Sequence, residues 1–270
     1  MKAVCTDIRC DVLKSIGHLG VGHIGGCLSL VEVLAVLYFE AMNIDPENPK
    51  MPGRDRLICS KGHAGPAVYA ALANRGFFSK DLLLTLNRGG TRLPSHCDMN
   101  LTPGIDMTTG SLGQGFSCAA GAALGSKLEN DGATIYTIIG DGESQEGQIW
   151  EAAMFAAAKK LGNLVGITDY NKLQIDGTVA QVNDIAPLDQ KWAAFGWNVI
   201  NVEDGNNTEQ ISVALKQAKA NRTSEKPTMV ILNTKKGCGV KWIEDLGPGN
   251  HNTNITEEQA DAAIKEIRGN

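Results

Sequence analysis

The chain has 270 residues, of which 43% are hydrophobic and 20% charged, and its net charge at pH 7 is −5. A chain of this length and composition can bury a core without disulfide or metal staples, and disorder, collagen and coiled coil are excluded. The acidic balance argues against nucleic acid or an anionic membrane as the main partner, because binding to either requires a basic surface.

No run of apolar residues approaches the roughly 18 that a membrane-spanning helix needs. Asp7 and Asp11 stand where a signal peptide has its apolar core. The seven cysteines are scattered and include no C-x-x-C pair, which is typical of free thiols in a reducing compartment. We therefore expect a cytoplasmic protein without a membrane partner.

Glycine is in excess, at 31 of 270 residues, against a usual share of about 7%. Such an excess indicates tight turns, close helix packing or backbone that approaches a ligand. The positions of the glycines decide between these explanations.

The first half of the chain predicts three helices and one short buried strand. Ser29 and Glu32 fit a capping box, and an apolar run follows them. The predicted elements are helices over 5–18 and 29–42, a turn that leads into a helix within 62–76, a strand over 55–60, and a loop over 88–110.

The second half alternates short apolar strands with helices. The strands cover 134–139, 164–168, 197–202 and 228–232, the helices cover 112–128, 146–161, 187–196 and 207–221, and Thr256 with Gln259 opens a short terminal helix. This alternation predicts an α/β fold, with a doubly wound, mostly parallel sheet and helices on both faces. No repeat or linker divides the chain, so we expect a single domain over 1–270.

Polar residues directly follow two of the predicted strands. One strand ends in Gly140-Asp141-Gly142, and the next along the chain leads to Asn171. Because ligands bind at the carboxyl ends of strands in such sheets, Asp141 and Asn171 are expected to meet there. One carboxylate, one amide oxygen and one backbone carbonyl suit Mg²⁺, and a diphosphate could complete its coordination. On its own, Gly-Asp-Gly is also typical of a turn in which Asp caps a helix.

Gly140-Asp141-Gly142 followed by Asn171 resembles the thiamine diphosphate fingerprint, and further segments are similar to transketolase in particular. These segments are 109–115, Gly22-His23, Gly62-His63 and Asp176-Gly177. The resemblance covers essentially the whole chain, but only the family's N-terminal, diphosphate-binding domain. It implies the N-terminal subunit of a split transketolase.

The resemblance implies two cofactors, thiamine diphosphate and Mg²⁺. By this resemblance, Mg²⁺ is bound by Asp141, Asn171 and the carbonyl of Leu173. The residues expected to contact thiamine diphosphate are His63, Gly110, Ser111, Leu112, Gly142, Asn171 and His251.

Four of the five histidines fall where the family has active-site histidines, and we interpret the fifth, His18, as structural. The resemblance implies catalytic roles for His23 and His251, which face donor substrate and cofactor, and binding of substrate hydroxyls by His23 and His96. Ketol transfer turns a ketose carbonyl into an alkoxide, which an imidazole N–H can stabilise or protonate.

Two charged residues have an ordinary explanation beside the implied one. Glu146 opens the helix after Gly-Asp-Gly, where an acid favours the helix dipole. The matching acid of the family lies at the dimer interface and couples two active sites, which would make Glu146 catalytic. Lys235, after the last strand, is either a solvated turn residue or a neighbour of the diphosphate.

The sequence departs from the family at Ile24, Tyr170 and Asn252, each adjacent to an implied site residue. The family usually has proline, asparagine or aspartate, and glycine at these three positions respectively. The departures touch substrate geometry more than Mg²⁺ binding, so they leave open a specialised sugar substrate.

The implied function is transfer of a two-carbon ketol unit from a ketose phosphate to an aldose acceptor, as in the pentose phosphate pathway. The family's activating glutamate belongs to its next domain, so the chain is expected to be inactive without a C-terminal subunit that carries the pyrimidine-binding domain, in an α2β2 assembly. The alternatives are a 1-deoxyxylulose-5-phosphate synthase-like fragment, a 2-oxoacid dehydrogenase-like component and a non-catalytic, partner-binding paralogue.

Overall fold

A five-stranded parallel sheet forms the centre of the molecule, as seen in a computed structural model that describes residues 1–269. The strands are β1 (Val21–Gly22), β2 (Arg56–Cys59), β3 (Ile135–Gly140), β4 (Leu164–Asp169), β5 (Leu173–Gln174), β6 (Gly177–Thr178), β7 (Asn198–Val202), β8 (Thr228–Leu232) and β9 (Thr253–Asn254). The central sheet has the order β2-β3-β4-β8-β7, with parallel pairing throughout. Its five strands therefore end at one edge.

Helices cover both faces of this sheet, which confirms the predicted fold class. They are α1 (Lys2–Leu19), α2 (Ile24–Leu28), α3 (Val31–Val36), α4 (Gly65–Arg75), α5 (Gln114–Glu129), α6 (Gly147–Ala158), α7 (Val179–Asn183), α8 (Leu188–Ala194), α9 (Thr208–Ala220), α10 (Lys241–Asp245) and α11 (Glu257–Arg268). Because alternate side chains of a strand point to opposite faces, Tyr136 and Ile138 of β3 pack with α1, α3, α4 and α9, whereas Ile135 and Ile139 pack with α5, α6 and α8.

The prediction of one continuous helix over 29–42 is wrong, because the α-helix in this region begins at Val31 and ends at Val36. The structure has α3 and a π-helical turn over Leu37–Ala41 in this region, and the separate helix α2 ends just before it, at Leu28. The hydroxyl of Ser29 donates a hydrogen bond to Oδ2 of Asp169 at 2.6 Å instead of capping a helix, and Glu32 forms an ion pair with Arg9. Both predicted capping residues are buried. Their polar groups bind residues that are far away in the sequence, and a local capping pattern does not predict such contacts. The capping box at Thr256 and Gln259, by contrast, is confirmed.

Two short antiparallel pairings were not expected from the sequence, and both shape the region beyond the strand ends. Strand β1 pairs with β9, with Val21 opposite Asn254. His23 directly follows β1 and His251 lies just before β9, so this pairing brings the two histidines together. Strands β5 and β6 form a small hairpin after β4.

The predicted loop over 88–110 contains no helix or strand, as expected. The seven cysteines are free thiols, and five of them are buried, as their scattered positions predicted. In the part of the chain that the structure describes, we find no helix that is both long and apolar enough to cross a membrane.

Candidate active site

A cavity of about 360 Å³ opens at the carboxyl ends of β2, β3, β4 and β8. Of the predicted site residues, those that line it are His23, His63, His96, Gly110, Leu112, Asp141, Gly142, Glu146, Asn171, Leu173 and His251. Ser111 is exposed and is not among the residues that line this cavity, and its cofactor contact stays a prediction.

The ends of β3 and β4 bring Asp141 and Asn171 together, as the spacing predicts. Gly140 is opposite Asp169 in the register of the two strands. The carboxylate of Asp141 accepts hydrogen bonds from the backbone N–H groups of Gly142, at 2.7 Å, and Lys172. The side-chain oxygen of Asn171 accepts one from the N–H of Leu173 at 3.1 Å.

The oxygens gathered here fit a small, hard cation. They are one carboxylate, one amide oxygen and one main-chain carbonyl, from Asp141, Asn171 and Leu173, and such donors suit Mg²⁺. Within residues 1–269, no group of three or more His, Cys, Asp or Glu side chains is arranged to hold a metal. Burial, and next the charge of Asp169, raise the pKa of Asp141 to about 7. A bound cation would offset both effects.

A buried ion pair beneath the cavity orients Asn171. Lys61 pairs with Asp169 and also donates to the carbonyl of Gly26 at 3.2 Å. Burial opposes both charges, but each partner stabilises the other, so the pKa of Asp169 is lowered and that of Lys61 raised. Asp169 accepts a hydrogen bond from Nδ2 of Asn171 at 2.9 Å, which turns the amide oxygen of Asn171 away from the pair.

The two members of this pair were missed in the sequence. Lys61 directly precedes Gly62-His63, and Asp169 stands two positions before Asn171. Both are charged residues at the ends of apolar strands, and that signal could have found them.

Four histidines form one cluster in the lining of the cavity. The ring of His23 lies 5.3 Å from those of His63 and His251 and 5.9 Å from that of His96, measured between centroids. His63 and His251 are 5.2 Å apart. His18 lies elsewhere, between Glu257 and Arg88, which agrees with its structural interpretation.

Three of the clustered histidines are neutral at pH 7. Burial, and next the charge of Lys61, hold the pKa of His63 well below its ordinary value. Burial and then Lys236 lower the pKa of His251 to about 3. The pKa of His23 is lowered by burial and then by His96. A neutral imidazole offers one donor and one acceptor, so each ring can hold or pass a proton.

Lys236 reaches the cavity, whereas the predicted Lys235 does not. Lys235 is exposed and pairs with Glu244. The side chain of Lys236 is buried, and its Nζ donates to the carbonyl of Leu173 at 3.2 Å and to Nδ1 of His251 at 3.1 Å. Burial, and next the charge of Lys61, lower its pKa to about 8, so it is mostly charged at pH 7. Adjacent lysines in a turn give no local signal for which one points inward.

A second buried carboxylate, that of Glu143, fixes the glycine-rich segment. Its oxygens accept hydrogen bonds from the N–H of Gly113 at 2.8 Å, the N–H of Gly140 at 3.0 Å and the hydroxyl of Ser60. Gly113 is the N-cap residue that directly precedes α5 and has φ +84°. A Cβ atom at this position would lie 2.7 Å from the side chain of Gln148. A residue other than glycine would therefore be strained and would clash.

Comparison with known proteins identifies the family to which this site belongs. Residues 1–268 match the family model described as transketolase, thiamine diphosphate binding domain. The chain belongs to the transketolase family.

Similar proteins include separate transketolase subunits. The 6-deoxy-6-sulfo-D-fructose transketolase subunit SqwG of Clostridium sp. (strain MSTE9) is 58% identical over 260 residues, which make up 96% of this chain and 93% of that protein. An apulose-4-phosphate transketolase subunit from Phocaeicola vulgatus is 39% identical over 246 residues, 91% of this chain and 86% of that protein.

A solved transketolase from Leishmania mexicana superposes with a TM-score of 0.91 at 31% identity, over 99% of this chain but only 41% of the other. The chain thus spans about two fifths of the length of that transketolase. The matches confirm the predicted resemblance to the N-terminal subunit of a split transketolase, a thiamine diphosphate-dependent transferase.

Proposed function

We propose that this transketolase subunit, as a single diphosphate-binding domain over 1–270, holds thiamine diphosphate through Mg²⁺ and transfers a two-carbon ketol unit together with a C-terminal partner. The observation that carries the proposal is that Asp141 and Asn171 meet at the ends of adjacent strands. Their side-chain oxygens are suitable metal ligands. In this proposal Asp141, Asn171 and the Leu173 carbonyl hold Mg²⁺.

The residues around the metal ligands are suited to a diphosphate. Lys236 contributes a positive charge, and Gly110, Leu112 and Gly142 bring main chain to the wall of the cavity. His63 is half-buried beside Lys61 and, as a neutral ring, can donate one hydrogen bond to a phosphate oxygen. When bound, the cofactor supplies the electron sink for the two-carbon fragment.

The clustered histidines of the cavity lining are suited to proton movements on the sugar. His23 lies within 5.9 Å of the other three rings of the cluster, so protons on the donor's hydroxyls have several acceptors nearby. The ammonium of Lys236 has no lone pair, so Nδ1 of His251 accepts its hydrogen bond and the proton of that ring lies on Nε2. We propose that His23 and His251 hold or move protons at the reacting carbonyl and that His96 binds a hydroxyl.

The donor that we propose is 6-deoxy-6-sulfo-D-fructose. Support comes from the 58% identity to a subunit named for that sugar, against 39% to one named for apulose 4-phosphate. Removal of carbons 1 and 2 as a ketol unit leaves a four-carbon aldose that keeps the sulfonate. The proposed donor differs from the one that the family resemblance implied, which was a ketose phosphate of the pentose phosphate pathway.

The partner that we propose carries the pyrimidine-binding domain, in an α2β2 assembly. Relatives that are themselves named subunits support a split enzyme. Glu146 is exposed at the start of α6, where a second copy of this chain could contact it. We also propose a cytoplasmic location, which the seven free thiols support.

The test is a transfer assay with the chain co-expressed with the product of the adjacent reading frame, supplied with Mg²⁺, thiamine diphosphate and an aldose phosphate acceptor. We expect mass spectrometry to detect the four-carbon sulfonated aldose from 6-deoxy-6-sulfo-D-fructose, with a kcat/KM at least tenfold above that for fructose 6-phosphate. A preference for fructose 6-phosphate would overturn the proposed donor. No transfer from any ketose would overturn the proposed activity.

A further inference from the structure

The segment that presents Lys236 to the cavity, residues 235–239, is held by groups that lie outside the cavity. We call it the lysine loop. Its two glycines, Gly237 and Gly239, have φ +84° and +83°. Glycine-rich backbone has many conformations available, so contacts from outside must select the one that directs Lys236 inward.

A polar network, partly buried, contacts the loop on both sides of Lys236. On one side, Nε of Arg9 donates a hydrogen bond to the carbonyl of Cys238 at 3.1 Å. On the other side, the side-chain oxygen of Asn206 accepts one from the N–H of Lys235 at 2.8 Å. Glu32 joins the two sides, because its carboxylate pairs with Arg9 and accepts a hydrogen bond from Nδ2 of Asn206 at 3.1 Å.

The charged pair of the network is buried, Asn206 is half-buried, and none of the three residues lines the cavity. Arg9 and Glu32 are 8% and 6% exposed. A Cβ atom on Gly239 would lie 2.6 Å from Nε of Arg9, so the loop packs directly against the guanidinium. Burying a charge is costly unless it is paired and hydrogen-bonded, so loss of any one partner destabilises the others in this network.

We propose that Asn206, with the Arg9–Glu32 pair, is a positioning residue for Lys236 and so sets the affinity of the subunit for the diphosphate of its cofactor. This inference rests on the proposed function, because it takes the ligand of Lys236 to be the diphosphate. Asn206 acts on the ligand only through the lysine loop. Outer partners that orient ligand-binding groups typically change affinity about 10- to 100-fold when they are removed.

The chain offers a matched control at the next position. Asn207 is also an asparagine, but its side chain caps α9 by accepting hydrogen bonds from the N–H groups of Glu209 and Gln210. Asn207→Ala therefore weakens a helix without touching the lysine loop. Asn206→Ala removes the link between Glu32 and Lys235.

The experiment measures the Kd for thiamine diphosphate by calorimetry, with Mg²⁺, on the chain in complex with its C-terminal partner. We expect Asn206→Ala to raise Kd about tenfold and Asn207→Ala to leave it within twofold. In a Lys236→Met background, Asn206→Ala should add no more than twofold, because the side chain that it positions is absent. Glu32→Gln, which keeps the volume of the side chain, should raise Kd in the same direction.

Hydrogen–deuterium exchange separates positioning from general loss of stability. In Asn206→Ala we expect faster exchange in 235–239 and unchanged exchange in α9, and in Asn207→Ala the reverse. An unchanged Kd in Asn206→Ala, or a full tenfold effect that persists in the Lys236→Met background, would overturn the inference while leaving the proposed function intact. Failure of the unaltered complex to bind thiamine diphosphate would instead overturn the proposed function, and the inference with it.

Discussion

The ammonium of Lys236 donates a hydrogen bond to Nδ1 of His251 at 3.1 Å. This contact joins the charged residues of the cavity lining to the histidine cluster. It also explains why His251 is neutral, since burial and then the charge of Lys236 lower the pKa of the ring to about 3.

Replacement of Lys236 tests the diphosphate end of the site. Lys236→Met removes a buried positive charge, and hydrogen bonds to charged groups contribute about 1.5–3 kcal/mol. We expect the Kd for thiamine diphosphate to rise about 10- to 100-fold, measured by calorimetry with Mg²⁺ and the partner subunit. The control is Lys235→Met, an exposed neighbour paired with Glu244, which should bind normally. Equal effects of the two substitutions would contradict the assignment of Lys236.

The charge of Asp141 makes the stability of the subunit depend on pH. Its pKa in the folded protein is about 7, raised from 3.8 by burial and then by Asp169. Between these values the folded state binds a proton that the unfolded state does not, so this group's contribution to stability falls as pH rises from about 4 to 7 and then levels off. The full effect is at most about 4 kcal/mol.

Asp141→Asn isolates this effect from the other titrating groups. We expect the difference in unfolding free energy, variant minus unaltered protein, to grow in the variant's favour from pH 4 to pH 7. Urea unfolding without Mg²⁺ measures it, and Glu203→Gln, at an exposed carboxyl after β7, is the control. The same Asp141→Asn variant should lose the stabilisation by Mg²⁺ and thiamine diphosphate. A pH-independent difference would show that the carboxyl ionises normally.

We expect the clustered histidines to have two different roles, with His63 binding the cofactor and His23 and His96 acting on the sugar. We expect His23→Ala and His96→Ala to lower kcat/KM for the donor about a hundredfold, the size of a general acid–base contribution, with little change in the Kd for thiamine diphosphate. His63→Ala should weaken cofactor binding instead. His18→Ala, outside the cluster, should change neither quantity. Steady-state kinetics and calorimetry on the four variants are decisive, and loss of cofactor affinity in His96→Ala would contradict the division.

Glu143 links Ser60, Gly113 and Gly140 through one buried carboxylate. Glu143→Gln keeps the shape but replaces one acceptor oxygen with a donor that faces other donors. An unsatisfied buried donor costs about 1–3 kcal/mol, so we expect a loss of that size in unfolding free energy and weaker cofactor binding. Urea unfolding and calorimetry of this variant measure the two effects. Unchanged stability would indicate that the carboxyl does not hold the glycine-rich segment.

The sheet and the Asp141–Asn171 pair were predictable from the sequence, for a physical reason. Short apolar strands alternating with helices form a parallel sheet, and parallel strands end at one edge. Residues that directly follow neighbouring strands therefore meet without any long-range information. The resemblance to transketolase added the histidine cluster, which periodicity alone does not reveal.

Other features depend on contacts between residues far apart in the chain. Ser29 bonds Asp169, 140 positions away, so a local capping signal was misleading. The pairing of β1 with β9 joins residues 21–22 to residues 253–254 and brings His23 close to His251. These strands are more than 200 positions apart in the sequence, so no local pattern predicts their pairing. The choice between Lys235 and Lys236 depends on two hydrogen bonds of the loop backbone: the carbonyl of Cys238 accepts one from Arg9, and the N–H of Lys235 donates one to Asn206.

In our proposal, this subunit supplies the metal and diphosphate half of an active site that a partner completes. Calorimetric titration of thiamine diphosphate into the purified chain mixed with its C-terminal partner, with and without Mg²⁺, followed by a transfer assay on each sample, tests this division of the site. We predict saturable binding and transfer only when both the partner and Mg²⁺ are present. Full turnover by the chain alone, or binding that is indifferent to Mg²⁺, would contradict the account.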